Sequence, residues 1–221
     1  MKIERLKIGS TELEEQLHFY RNILGLQILH QEDNSFTVKA GYSILEFHLQ
    51  KDATPYHIAF HIPSHQEEQA LIWLKDRTSI LQDEGKEIVD FPNWNARSVY
   101  FHDADKNILE FISRRHCFPA ETDAFTAEAI VGISEIGLAT SDVRKAFDFL
   151  NSNFQLQKFT GDYEVFCATG DDEGLFIVID KDKKDWFPSG DEAFASEFEI
   201  QISTAGRTAT MAFKNDTLKL L

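Results

Sequence analysis

The chain has 221 residues, with 22 Lys+Arg against 37 Asp+Glu, 8 His and 2 Cys, for a formal net charge of −15. That length suggests one large domain or two of about 100 residues, and the 43% hydrophobic fraction with 19 Phe excludes a disordered acidic chain. The charge argues against a nucleic-acid or membrane-surface partner, and Cys117 and Cys167 make neither a disulfide framework nor a CxxC metal site. In chain order, Ile3, Leu6 and Ile8 mark a first strand. Ser10 and Thr11 offer cap oxygens to a helix carrying Leu13, Leu17, Tyr20 and Leu24, with Gly25 as its stop. Three strands are expected next, over Gln27–Gln31, Phe36–Ala40 and Ser43–Leu49. Tyr56–Ile62 reads as a strand and Gln66–Arg77 as a helix with Ala70, Leu71 and Leu74 inward. Glu87–Phe91, Arg97–His102 and Ile108–Ser113 then complete a second βαβββ unit.

The segment from Ser113 to Ala129 reads as a linker. Beyond it the opening pattern returns: Ile3 to Leu13 lies on Ile133 to Val143 without a gap, and at the same offset of 130 Leu17 meets Phe147 and Leu26 meets Leu156. A third βαβββ unit ends near Asp180. A last, abbreviated one runs through strands at Glu197–Ser203, Arg207–Phe213 and Thr217–Leu221, with no room for a helix between the first two. The expected fold is therefore α+β, tandem βαβββ modules in curved mixed sheets around a pocket. One domain spans 1–115, a linker 116–129 and a degenerate second domain 130–221. All eight histidines lie at or before residue 116, so imidazole chemistry belongs to the first half. The second half has 9 basic against 19 acidic residues. The N-terminus alternates as a strand rather than as a signal peptide, and no apolar run approaches the roughly 20 residues that span a bilayer. A cytoplasmic protein is expected.

Three segments carry a resemblance. Ile3 to Leu13 with His18-Phe-Tyr20 and Leu24-Gly-Leu26, then His57-Ile-Ala-Phe60, then Asp103-Ala-Asp-Lys-Asn-Ile-Leu-Glu-Phe111 together resemble the vicinal oxygen chelate superfamily. That group includes glyoxalase I, fosfomycin-resistance enzymes, bleomycin-binding proteins and extradiol dioxygenases. The resemblance implies a divalent ion (Zn²⁺, Ni²⁺, Mn²⁺ or Fe²⁺) held from the first and fourth strands of each module, or none. Carried over, the positions are Arg5 and Glu46 in the first module and His57 and Glu110 in the second. Arginine stays protonated and offers no lone pair, so Glu46, His57 and Glu110 remain as expected ligands, with Glu46 or Glu110 as proton-transfer base.

Two functions follow from the resemblance. One is a metal-dependent lyase or isomerase acting on a small oxygenated molecule in the first domain. Ring-cleaving dioxygenase chemistry is disfavoured, because the second half has no histidine. The other is a metal-free binder of the bleomycin-resistance type, in which Arg5 and the carboxylates form an ion-free cluster. The partner in either case is a small molecule, and the chain is a monomer or homodimer. His48 shares a strand face with Glu46 and is expected on the pocket wall. His61 is a strand's length of roughly 13 Å from His57 and is expected as a pocket or core residue. Trp94 and Arg97 are further pocket candidates. In the second half Glu135 is expected to face Lys219 as a salt bridge with no ion, and Lys181–Asp185 to be a solvated turn.

Overall fold

A computed structural model describes all 221 residues. The first module comprises β1 (Lys2–Ser10), α1 (Leu13–His18), β2 (Gln27–Glu32), β3 (Ser35–Ala40) and β4 (Ser43–Leu49). Helix α1 is short because Phe19–Ile23 widens into a π-helical turn that drives Tyr20 into the core, and Gly25 at φ +68° ends it. Neither Ser10 nor Thr11 caps it. The carboxylate of Asp105 instead accepts from the backbone N–H groups of Thr11 and Glu12 and from the Thr11 hydroxyl, so the helix is capped from another module.

The second module is β5 (His57–Ile62), α2 (Glu67–Lys75), β6 (Ile80–Leu81), β7 (Val89–Phe91), β8 (Ala96–His102) and β9 (Ile108–Arg114). The third is β10 (Gly132–Thr140), α3 (Val143–Phe154), β11 (Lys158–Gly161), β12 (Phe166–Asp171) and β13 (Gly174–Asp180). On α3 the buried Val143, Ala146, Phe147 and Leu150 follow helical spacing, and Asp142 caps it by accepting from the Lys145 N–H at 2.9 Å. The last module is the helix-free meander β14 (Phe198–Thr204), β15 (Arg207–Lys214) and β16 (Thr217–Leu220).

In each complete module the first strand runs parallel to the last: β1 with β4, β5 with β9 and β10 with β13. The intervening helix provides the crossover that a parallel pair requires. The result is α+β, mostly strands in one curved mixed sheet with three α-helices, as tandem modules predict.

The modules pair crosswise. Strand β1 hydrogen-bonds antiparallel to β14, and β5 to β10, so the first module shares a cup with the fourth and the second with the third. Each cup therefore draws one module from either side of residues 116–129. The cups meet where β1 touches β10 at Ile3 and Ile133, residues related by the 130-residue offset of the sequence repeat. The expected linker is a packed strap. Phe118 packs against His61 with ring centres 4.7 Å apart, Phe125 packs on Trp73 and Phe111, and β9 continues through Arg114, whose guanidinium is fully buried.

Candidate metal centre

Strand β5 is buried along its whole length between β10 and β9, and this fixes His57 at the floor of the second cup. Opposite Ile58 on β10 stands Ile136, and opposite Ala59 stands Glu135. Beside them on β9, Ile108 is paired with His57 and Glu110 with Ala59. Residues two apart share a strand face, so His57, Glu110 and Glu135 all point to the same side. Their donor atoms lie within 4.8 Å of one another, and their exposures are 6%, 3% and 2%.

Glu110 accepts from the Ser98 hydroxyl at 2.5 Å, and its Oε2 stands 3.5 Å from His57 Nε2. Glu135 accepts from Arg114 Nη2 at 2.7 Å. Arg114 also spreads its guanidinium over Trp94 and Phe159, at 5.5 and 5.8 Å from the ring centres. Burial pushes His57 down to about 4, so the imidazole is neutral and keeps a lone pair. Burial pushes both carboxylic acids up, and for Glu110 the charge of Glu135 adds to the effect. Two buried acidic groups thus share one buried cation, Arg114.

This donor set fits a divalent ion. One neutral imidazole and two carboxylates suit a borderline-to-hard cation, and His57 Nε2 and Glu110 Oε2, 3.5 Å apart, together with Glu135 would be the residues to hold it. In the register of β10 and β13, Ile177 occupies the place that Glu110 holds on β9. It supplies a hydrocarbon wall instead of a fourth donor. Above the cluster lies a cavity of about 430 Å³ lined largely by apolar and aromatic side chains, including Trp94, Tyr100 and Trp186.

The other cup holds the rest of the expected set. Glu46 does not join His57 and Glu110. It accepts from Arg5, with Nε at 3.1 Å and Nη2 in close contact. The reason is the crosswise pairing, which faces β4 toward β14 and leaves β9 to face β10. His48 also lies in that cup, near Lys7, Glu199 and Lys214, and its Nδ1 is buried without a partner. His61 lies away from the cavity, its Nε2–H donating to the Glu173 carbonyl at 3.2 Å. Arg97 likewise serves elsewhere, pairing with the buried Glu67 at 2.8 Å. Trp94 lines the cavity as expected of a pocket residue. Glu135 does not meet Lys219. It faces Arg114, and its place opposite β5 follows from a pairing between modules that strand patterns do not reveal.

The comparisons agree with this architecture. Metallothiol transferase FosB of Staphylococcus epidermidis is 29% identical over 116 residues, covering 49% of this chain and 80% of that protein. That relative and the fold neighbours make the chain similar to members of the vicinal oxygen chelate superfamily. A provisional dioxygenase from Bacillus subtilis superposes over 81% of the chain with a TM-score of 0.59 at 17% identity. A glyoxalase I variant from Zea mays superposes over 80% with a TM-score of 0.52 at 14% identity. The chain spans 63% and 66% of those two structures, and at such identities the likeness is one of fold. No family model matches the chain. No helix is long and apolar enough to cross a membrane.

The sequence points to His57, Glu110 and Trp94, which lie at this cavity, but it does not group Glu135 with them and does not single out Arg114, Tyr100 or Trp186. Arg114 had one readable signal, since it continues the Ile108–Ser113 strand by a single residue.

Proposed function

We propose that the chain is a divalent-metal-dependent lyase or isomerase of this superfamily, acting on a small oxygenated substrate in the cup shared by the second and third modules. The observation that carries the reading is the convergence of His57, Glu110 and Glu135 at the buried floor of an apolar cavity. The name of the FosB relative, a metallothiol transferase, supports metal dependence without fixing the reaction. When bound, the ion would supply Lewis-acid polarisation of a substrate oxygen.

The chain's own residues do the remainder. Neutral His57 and the two carboxylates hold the ion, and Arg114 keeps one Glu135 oxygen engaged so that the other faces the site. A carboxylate released from the ion can take the proton, and Glu110 is placed for that role, with the Ser98 hydroxyl orienting it through Oε1. The aromatic walls exclude water from the proton being moved.

The test is metal analysis and calorimetric titration of stripped protein with Zn²⁺, Ni²⁺, Mn²⁺ and Fe²⁺. One ion per chain is expected, with affinity reduced at least about tenfold in His57→Ala and Glu110→Gln. Absence of saturable binding by all four ions would sink the reading in favour of a metal-free binder, in which Arg114 alone offsets the carboxylates.

A further inference from the structure

The walls of the cavity restrict its occupant. In the core Phe47, Phe60, Phe101, Phe111 and Phe176 are wholly buried. Around the cavity Phe91, Trp94 and Phe166 are only half-buried, and Phe187 is 38% exposed. Together with Tyr100 and Trp186 they place six rings about one concavity. Apolar surface gathered in this way, rather than scattered, marks a binding site. Neighbouring rings meet edge to face, Tyr100 with Phe187 at 5.5 Å and 82° and Phe91 with Phe187 at 6.1 Å and 76°. A further ring continues that packing with favourable quadrupole contacts that an aliphatic body lacks. A volume of about 430 Å³ admits a single-ring compound and lies at the small end of ligand pockets.

One cation, Lys184, lines the cavity. It sits in the segment 181–197, which stands where the fourth module lacks its helix. Lys181 and Lys183 pair with Asp182 and Asp180, whereas Lys184 has no carboxylate within ion-pair distance although the chain carries 37 acidic residues. Of the acidic groups that line the same cavity, Glu135 is paired with Arg114 and Glu110 sits with it at the floor. More distant charges are screened beyond about 8–10 Å, so at the outer wall the unpaired, half-buried Lys184 ammonium is the charge that an occupant meets.

We propose that the occupant of this cavity is a small aromatic anion, its ring held among Phe91, Trp94, Tyr100 and Phe187, its anionic group at Lys184 and an oxygen directed to the His57–Glu110–Glu135 floor. The inference rests on the proposed metal-centred function only for the oxygen at the floor. The preferences for a ring and for an anion stand on the walls.

The probes are 4-hydroxybenzoate, its neutral amide 4-hydroxybenzamide, and the saturated 4-hydroxycyclohexanecarboxylate, titrated by calorimetry and by tryptophan fluorescence with and without Zn²⁺. The benzoate is expected to bind at least about tenfold tighter than either comparison compound. Lys184→Gln is expected to abolish the preference for acid over amide while preserving that for the aromatic over the saturated ring. Equal binding of acid and amide, equal binding of the aromatic and saturated acids, or no saturable binding of the benzoate would each overturn the proposal. Loss of Zn²⁺ binding with these preferences intact would overturn the metal reading alone.

Discussion

His61 shows how one buried side chain couples the fold to pH. It lies on β5 but away from the cavity, packed against Phe118, with its Nδ1 unpartnered. Burial first, and then the neighbouring Arg114 guanidinium, push its pKa down to about 3. A base whose folded pKa is lowered binds fewer protons than in the unfolded chain. Its neutral form therefore favours folding above pH 6.5, and that contribution is lost progressively as pH falls from 6.5 toward 3. At pH 5 the loss amounts to about 2 kcal/mol. Denaturant titrations at pH 7 and pH 5 should show the wild type losing about that much more stability than His61→Phe. Parallel losses in the two proteins would show that His61 does not carry the effect. The sequence indicated a pocket or core residue here, and the core role follows from the all-buried strand HIAFHI.

At the scale of elements, segment 181–197 is the part least legible in the sequence. Lys181–Asp185 reads as a solvated turn, and for Lys181 and Lys183 that description fits. The next residues instead return to the cavity. Trp186 is buried against His57 at 5.4 Å, and the segment is tied down where Tyr56 donates to the Glu197 carbonyl at 2.6 Å and Ser196 donates to the Pro55 carbonyl at 2.7 Å. Nothing in local propensity indicates which surface an irregular segment will cover. The strands, by contrast, announce themselves by alternation and by turn residues, which is why their positions follow from sequence.

Gly137 on β10 is what admits the indole. A Cβ there would stand 2.6 Å from the Trp186 ring and 3.0 Å from His57 Cβ. Gly137→Ala should therefore push Trp186 off the sheet, at a cost of about 1–3 kcal/mol, with a red shift in tryptophan emission and weaker metal binding. Unchanged emission and stability would mean that the segment yields without disturbing the site.

The whole molecule sets out one frame in two cups, and at the first-strand position Arg5 stands in one where His57 stands in the other. Within a module the register is local, so the pairing of His57 with Ile108 and the placing of Glu110 two residues further are readable by analogy with the first module. Which module faces which is a tertiary choice, and the sequence repeat is silent on it. Sequence alone therefore groups Glu46 with His57 and leaves Glu135 apart from them. With the pairing known, the first cup can be read in the same frame. Arg5 pairs with Ile44 as His57 does with Ile108, Glu46 lies beside Lys7 as Glu110 lies beside Ala59, and Glu199 stands opposite Lys7 as Glu135 stands opposite Ala59.

The first cup thus carries Arg5, Glu46 and Glu199 where the second carries His57, Glu110 and Glu135. Its carboxylates are already neutralised, Glu46 by Arg5 and Glu199 by Lys7 at 3.7 Å and Lys214 at 2.8 Å. A guanidinium has no lone pair, so a cation fixed to the chain stands where an ion would need a ligand. Arg5→His restores the donor set and removes that charge. Elemental analysis after Zn²⁺ loading should find one more ion per chain in the variant than in the wild type, bound more weakly than at the buried site because Arg5 is exposed where His57 is enclosed. The gain should disappear in the double variant Arg5→His with Glu46→Gln. If Arg5→His takes up no additional ion, shared register between the cups does not extend to shared ligand geometry, and the first cup is a scaffold in its own right.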